Sequence, residues 1–340
     1  MMKHSERLYR LLLRAYPRAF REEYAAEMLL VFRDASRDAS QPGRLGVLRL
    51  WINVLSDFAK TVCIQRVNSW MQRDEALAGK ERFAMTLPFK LDVAQQTDIG
   101  RKRASNEDQV LSVIPEDQQL LQDKGALFVV ADGMGGHDRG DVASELTTQQ
   151  VKDAYYRDLQ GDIAGALQRA LQLANAAVYR ANEAERARGV GDFEMGATCV
   201  AAVLHEQMLY AANVGDSRVY VLHAGQLRQI TRDHSVVAQM VERGEITPAQ
   251  VRTHEKRNQI YRALGSSGAV EVDLFTEPVQ EGDTLILCTD GLWEMMEDDD
   301  LRAIVEQYST EESVQRLIAR ANDAGGPDNV TAMVVRVSAI

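Results

Sequence analysis

The chain has few cysteines, and their spacing excludes the sites that paired cysteines usually build. Three cysteines occur in 340 residues, at positions 63, 199 and 288, each within an apolar stretch. No two of them form the close pair that a zinc or redox motif requires. We therefore interpret them as reduced, buried thiols of a cytoplasmic protein.

Long apolar runs are also lacking. The N-terminus opens on charged residues in a helical pattern and has no apolar core of a secretory signal. The most apolar N-terminal stretch, residues 45–67, carries Arg49, Asp57, Lys60 and Arg66, which is too much charge for a membrane span. The sequence thus predicts a protein that is neither secreted nor inserted across a membrane.

Charge is distributed unevenly along the chain, whose formal net charge is −11. Residues 1–85 hold 15 Lys and Arg against 10 Asp and Glu, whereas the remainder holds 24 against 40. This asymmetry predicts two units with different surfaces. The acidic surface of the larger unit would repel phosphate backbones, so we predict that it does not bind nucleic acid.

Hydrophobic spacing divides the chain into a helical module at residues 1–71, a charged linker at 72–88 and a larger part at 89–340. In the larger part, strands and paired helices come in blocks, which predicts a layered α+β sandwich rather than a doubly wound fold. The pattern predicts single strands at residues 197–204 and 270–276 and a mostly helical insertion at 234–264.

Five segments place acidic residues beside glycine or a turn at the ends of predicted strands. They are Asn106-Glu107-Asp108, Asp132-Gly133-Met134-Gly135-Gly136-His137, Gly215-Asp216-Ser217, Asp290-Gly291 and Gly326-Pro327-Asp328-Asn329. Acids at strand ends can converge on one edge of a sheet, and several ionised carboxylates together require a compensating cation. An all-oxygen donor set favours a hard ion such as Mg²⁺ or Mn²⁺.

Each segment alone also has a local interpretation. Asp108 could be a turn residue, and Asp328 with Asn329 could form an Asx turn at a strand entry. Turn chemistry does not explain why Asp-Gly follows two buried strands while Gly-Asp-Ser-Arg follows a third. Because no Gly-x-Ser-x-Gly elbow exists, the hydroxyl residues beside these acids are interpreted as hydrogen-bonding supports rather than nucleophiles; they are Ser105, Ser217 and Thr289.

Six segments together resemble, in order, the motif series of bacterial metal-dependent serine/threonine phosphatases of the PPM (protein phosphatase 2C-type) family. They are Thr97 to Asp108, Ala131 to His137, Gly196 to Thr198, Asn213 to Arg218, Thr289 to Trp293 and Asp328 to Thr331. The resemblance covers residues 91–340. It implies a four-layer α-β-β-α sandwich that hydrolyses phosphoserine and phosphothreonine in proteins, opposing bacterial kinases, by a water activated between two Mn²⁺ or Mg²⁺ ions.

The resemblance also implies the roles of individual residues. The ions would be held by the bridging acid Asp132 with the carbonyl of Gly133, by Asp290 and Asp328, by Glu107 and Asp108 through water, and by Asp216 at a weaker third ion. Arg103 would clamp the substrate phosphate. His137 is either a proton donor to the leaving group or a structural residue of its loop. Residues 234–265 correspond to the family's flap beside the active site.

Residues 12–34 are similar to a short helical prefix found ahead of some bacterial permeases, a resemblance that spans about seventy residues. It implies a docking or membrane-proximal module whose basic balance would suit a protein partner or an anionic membrane surface. A helical bundle that caps the catalytic part is an equally open interpretation. Two other functions also stay open: a regulatory protein that keeps the phosphatase fold without its activity, and an adaptor that acts through residues 1–71.

Overall fold

The computed structural model describes residues 89–135, 139–159, 162–188 and 195–339. The strands are β1 (Lys90–Asp98), β2 (Asp108–Val113), β3 (Ala126–Met134), β4 (Gly196–Ala197), β5 (Cys199–His205), β6 (Met208–Val214), β7 (Arg218–His223), β8 (Gln226–Gln229), β9 (Asp273–Pro278), β10 (Thr284–Cys288) and β11 (Val330–Ser338). The helices are α1 (Gln118–Lys124), α2 (Gly140–Arg157), α3 (Ile163–Ala187), α4 (Val236–Glu242), α5 (Asp290–Trp293), α6 (Asp298–Gln307) and α7 (Thr310–Asp323), with a 3₁₀ turn at Pro248–Thr253.

The strands form two antiparallel sheets. One has the order β1-β11-β10-β7-β8, and the other has the order β2-β3-β5-β6-β9 with β4 paired to β3. Helices α2 and α3 pack on the second sheet, and α7 packs on β1 and β11 of the first. Helix α6 contributes Leu301 and Val305 to the same apolar cluster as α7.

Strand β3 shows why the sheets stack. Its side chains alternate between two apolar clusters, because successive residues of a strand point to opposite faces. Phe128 and Val130 join the cluster that lies between the two sheets. Leu127 and Val129 join the cluster under α2 and α3. The strand is buried on both faces, and the predicted four-layer α-β-β-α sandwich is confirmed.

Several element predictions need correction. The insertion at residues 234–264 is not mostly helical, since it holds only α4 and the 3₁₀ turn. Its chain leaves α4 through Gly244 at φ 71°, a conformation that ends a right-handed helix. The strand predicted at 197–204 is broken at Thr198, and the one predicted at 270–276 lies at 273–278. Helix α1 was not predicted.

Some predictions lie outside the described residues. They are the helical module at 1–71, the linker at 72–88, and the loop residue His137. These stay predictions of the sequence. Among the residues that the structure does describe, no helix is both long and apolar enough to cross a membrane.

Candidate metal centre

Five aspartates from both sheets converge at one end of the sandwich. Asp108 opens β2 and pairs directly with Asp132 on the neighbouring strand β3. Asp216 lies in the turn between β6 and β7, Asp290 opens α5 after β10, and Asp328 precedes β11. The predicted convergence of these acids on one edge is confirmed.

Burial and mutual repulsion of these acids raise several of their pKa values. Burial, and after it the charges of Asp108, Asp290, Asp216 and Asp328, raises the pKa of Asp132 well above its usual range. Burial is also the main cause that raises the pKa values of Asp108 and Asp216, each to about 7. The set therefore resists full ionisation at neutral pH unless a cation balances it.

Two threonines fix the orientation of the Asp108 carboxylate. Its Oδ2 accepts hydrogen bonds from the hydroxyls of Thr289, at 2.9 Å, and Thr331, at 2.6 Å. Its Oδ1 is buried and has no hydrogen-bond partner, and the same holds for Oδ1 of Asp290. A buried carboxylate oxygen without a donor is costly, and a cation at this site would compensate both atoms. The Thr289 contact agrees with the interpretation of this hydroxyl as a hydrogen-bonding support.

Asn329 ties the loop of Glu107 to the segment that carries Asp328. Its Oδ1 accepts the backbone N–H of Glu107 at 2.8 Å. Its Nδ2 donates to the carbonyls of Ile99, at 3.0 Å, and Ser105, at 2.9 Å. One side chain thereby holds the whole turn between β1 and β2 against the start of β11.

Thr198, which interrupts β4 and β5, positions Asp132. Its backbone N–H donates to the carbonyl of Asp132 at 2.8 Å, and its hydroxyl accepts the Asp132 N–H at 3.2 Å. The hydroxyl also lies 2.7 Å from that of Ser217, the neighbour of Asp216. The strand break links two of the acids, and Ser217 is a support as predicted.

Gly133 lies where no larger residue fits. A Cβ atom on Gly133 would lie 1.9 Å from the carbonyl oxygen of Gly140, at the start of α2. One on Gly140 would in turn lie 2.6 Å from the carboxyl carbon of Glu107. These two glycines let the loop of Glu107 and the N-terminus of α2 approach β3 closely.

Arg103 reaches the acids from the solvent side. Its Nη2 donates to Oδ2 of Asp328 at 2.7 Å, and its side chain remains 48% exposed. Burial lowers the pKa of Arg103, but the bond to Asp328 and the charges of Asp328, Asp132 and Glu107 raise it overall. Arg103 thus presents its guanidinium to the acids, and its role as a phosphate clamp stays a prediction.

Glu294 is an acid of this centre that the sequence analysis missed. It follows Asp290 by four residues, a spacing that places both on one face of a helix. Its Oε1 is buried without a hydrogen-bond partner, and its Oε2 pairs with Nε of Arg257 at 3.2 Å. Burial is the main cause that raises its pKa, and Glu294 in turn raises the pKa values of Asp216 and Asp290.

The donor set fits hard divalent cations, although the acids are not preassembled around one. Within the described residues, no three Asp, Glu, His or Cys side chains already stand in an arrangement that would hold an ion. Asp328 is engaged with Arg103, and Asp108 with its threonines. The unpartnered oxygens of Asp108, Asp290 and Glu294 nevertheless offer the hard ligands that Mn²⁺ and Mg²⁺ prefer.

His234, which had no role in the sequence analysis, holds the turn of Asp216. Its Nδ1 accepts the backbone N–H of Gly215 at 3.0 Å, and its own backbone N–H donates to the Gly215 carbonyl at 2.8 Å. Its Nε2 lies 3.3 Å from Oδ2 of Asp273 and 3.0 Å from Nη1 of Arg262. Burial lowers the pKa of His234 below its usual value, although the bond to Asp273 acts in the opposite direction.

This contact predicts opposite outcomes for two amide substitutions of His234. His234→Asn keeps an acceptor near Nδ1, whereas His234→Gln leaves the Gly215 N–H without one. We expect His234→Gln to raise the Mn²⁺ concentration for half-maximal binding about tenfold, and His234→Asn to change it less than threefold. Isothermal titration with Mn²⁺ measures this directly. Equal losses in the two variants would show that ring volume, not the hydrogen bond, is what matters.

The chain matches a protein-family model and is similar to a known bacterial protein. The family model described as Protein phosphatase 2C matches residues 101–333, more than half of the chain. The serine/threonine phosphatase stp of Listeria monocytogenes is 39% identical over 246 residues, which cover 71% of this chain and 93% of that protein.

Solved structures agree with the sequence comparisons. The serine/threonine phosphatase PstP/Ppp of Mycobacterium tuberculosis is similar with a TM-score of 0.64 and 36% identity, over 73% of this chain and 99% of that one. The catalytic domain of PstP in complex with two manganese ions has a TM-score of 0.63 and 35% identity, over 74% and 99%. At this identity the likeness extends to sequence as well as fold.

Proposed function

Because this chain belongs to the protein phosphatase 2C family, we propose that it hydrolyses phosphoserine and phosphothreonine in proteins with Mn²⁺ or Mg²⁺. The observation that carries the proposal is the convergence of five aspartates from two sheets, with one arginine on their solvent side. Its substrates would be the products of protein kinases, as the sequence resemblance implies.

We assign the residues around the ions as follows. Asp132 with the carbonyl of Gly133, Asp290 and Asp328 would hold the first ion. Glu107 and Asp108 would hold the second, largely through water, together with Asp132, and Asp216 would help to hold a third. When bound, these cations would supply a water that ionises near neutral pH and a counter-charge for the phosphoryl oxygens. The chain itself orients these acids. Thr289 and Thr331 orient the carboxylate of Asp108, and Asn329 holds the backbone of Glu107.

Arg103 would bind two phosphoryl oxygens through its planar fork of N–H donors and offset the charge that develops in the transition state. In the structure this fork contacts Asp328, so substrate binding exchanges a carboxylate partner for a phosphate. His137 is proposed as a donor of the proton that the serine or threonine leaving group needs.

The proposed function is tested with p-nitrophenyl phosphate and a phosphothreonine peptide. We expect the full-length protein to hydrolyse both in the presence of Mn²⁺ and neither in excess EDTA, with activity returning when Mn²⁺ is added back. A pure, folded protein that binds Mn²⁺ but turns over neither substrate would contradict the proposal. It would favour a regulatory protein that retains the fold.

Arg103 variants separate charge from hydrogen-bond geometry. Arg103→Ala is expected to lower kcat/KM for p-nitrophenyl phosphate about a hundredfold, because a charged, bidentate contact to phosphate is lost. Arg103→Lys keeps the charge but loses the planar pair of N–H donors. Its kcat/KM should therefore lie between those of the wild type and Arg103→Ala. Lys102→Ala removes a neighbouring positive charge and serves as the control, with less than a twofold effect. A comparable loss in the control would assign the effect to the general field of the loop.

For the remainder of the chain we propose that residues 1–71 contact a protein partner or an anionic membrane surface. The support is the basic balance of residues 1–85, with 15 Lys and Arg against 10 Asp and Glu. A cytoplasmic enzyme that is recruited in this way would lose localisation, but not hydrolysis of p-nitrophenyl phosphate, when residues 1–85 are deleted. Unchanged localisation of that deletion would contradict this role.

A further inference from the structure

A cleft of ≈ 390 Å³ lies beside the acidic centre, between the segment 236–253 and the end of the first sheet. This volume is within the range of about 300–1,000 Å³ that is typical of ligand pockets. One wall is apolar and consists of Ala238 and Val241 on α4 with Pro248 and Val251 on the 3₁₀ turn. The other lining residues are mostly polar, and Arg218 and Asp233 among them are buried.

Several polar side chains that line the cleft have donors or acceptors that no described residue uses. Arg218 donates to Asp233 and Tyr220, which leaves two of its five N–H groups without an acceptor among the described residues. Arg252 uses one N–H on each nitrogen, for Trp293, Glu297 and Asp298. Gln229 donates twice, yet its Oε1 accepts nothing from the described residues.

The cleft carries no net charge to attract an ion. Three arginines and three acids line it, and they are paired with charges of opposite sign. The pairs are Arg218 with Asp233, Arg232 with Glu242, and Arg252 with Asp298. A suitable ligand is therefore neutral, offers an acceptor to guanidinium and a donor to the Gln229 amide, and has an apolar body. A peptide main chain with an aliphatic side chain has all of these properties.

Two residues that line the cleft, Trp293 and Arg218, belong to the segments that carry Asp290 and Asp216. Trp293 lines the cleft, belongs to the short helix α5 that Asp290 opens, and donates its indole N–H to the carbonyl of Asp216 at 3.0 Å. Arg218, two residues after Asp216, stacks on the Trp293 ring with its guanidinium carbon 3.5 Å from the ring centroid. A chain that presents a phosphorylated residue to the acids thus passes within a few residues of the cleft.

We propose that this cleft binds an uncharged aliphatic residue of the phosphoprotein substrate, with its main chain, near the phosphorylated residue in sequence. This inference rests on the proposed phosphatase function and adds a determinant of peptide specificity to it. The cleft does not touch the phosphate, so it affects recognition of peptides and not of p-nitrophenyl phosphate.

The test uses a set of phosphothreonine peptides in which leucine or aspartate occupies one position at a time on either side of the phosphothreonine. At one position we expect the kcat/KM of the leucine peptide to be about tenfold higher than that of the aspartate peptide. This ratio corresponds to partial burial of one leucine side chain. Val241→Phe and, as a smaller change, Ala238→Leu fill the cleft and should abolish this preference. Gln239→Phe adds the same ring as Val241→Phe on the same helix, outside the cleft, and should preserve it.

Hydrolysis of p-nitrophenyl phosphate by every variant reports whether the fold and the metal centre are intact. Wild-type protein that hydrolyses this ester but shows no leucine preference at any position would overturn the cleft proposal and leave the phosphatase function standing. A leucine preference that survives in both Val241→Phe and Ala238→Leu would also overturn the cleft proposal and leave the phosphatase function standing. Wild-type protein without metal-dependent hydrolysis of the ester would overturn both proposals together.

Discussion

Asp132→Asn is expected to lower kcat/KM for metal-dependent hydrolysis at least about a thousandfold. Asp132 is the proposed bridging ligand, and after burial the charges of four other aspartates raise its pKa. The substitution keeps its shape but removes the charge and places an amide N–H₂ where a cation would bind. Steady-state kinetics at saturating Mn²⁺ measure the loss, and calorimetry measures the accompanying loss of Mn²⁺ binding.

The same substitution should stabilise the protein when divalent cations have been removed with EDTA. A carboxyl group whose folded-state pKa is raised favours folding only while it is protonated, and this contribution is lost as the pH rises through the folded-state pKa. For Asp108 and Asp216 that point is near pH 7, and the pKa of Asp132 is raised well above its usual range as well. At pH 8 we therefore expect Asp132→Asn to melt several degrees above wild type in EDTA, with a smaller difference at pH 5.

The control is Asp299→Asn, an equal change of charge at a side chain that is 90% exposed on α6. It should alter neither the activity nor the melting temperature in EDTA. Retention of wild-type turnover by Asp132→Asn would contradict its assignment as the bridging acid. Equal stabilisation by both substitutions would point to net charge rather than to local repulsion.

The acids of the centre could be predicted from the sequence for two reasons. Each lies beside a glycine or a turn, and the segments that hold them follow one another in a recognisable order. Asp132, Asp216, Asp290 and Asp328 all lie where strand ends were expected, and Arg103 faces them. The strand ends can be predicted because each apolar strand pattern is local in the sequence. The acids that follow these strands therefore could be predicted as well.

What the sequence analysis missed depends on contacts between distant segments. His234 acts through a hydrogen bond to Gly215, and a lone histidine carries no motif for that role. At the Thr198 break, hydroxyl contacts with Asp132 and Ser217 add to the backbone bond between Thr198 and Asp132, whereas the apolar pattern of the sequence continues unbroken through it. Glu294 could have been found, since its spacing of four residues from Asp290 predicts a shared helix face.

The ion pair of Arg218 and Asp233 gives the largest expected change in stability. Their side chains are 9% and 5% exposed, and two nitrogens of Arg218 donate to the carboxylate, with Nη2 2.7 Å from Oδ2. Burial alone would lower the pKa of Arg218, but Asp233 raises it well above its usual value. Removing one partner leaves the other charge buried and unpaired, which costs about 3–5 kcal/mol.

Arg218→Met is therefore expected to lower the melting temperature by roughly 10 °C, whereas the double variant Arg218→Met with Asp233→Asn should recover a large part of that loss. The recovery follows because a neutral amide tolerates burial without a counter-ion. The matched control is the pair of Arg228 with Glu277, which is also bidentate, at 3.0 and 2.9 Å, but whose side chains are 59% and 27% exposed. Arg228→Met should cost less than about 1 kcal/mol, because solvent screens that pair. If the double variant melts no higher than Arg218→Met, the loss comes from the missing stack on Trp293 rather than from an unpaired Asp233, and the electrostatic explanation is wrong.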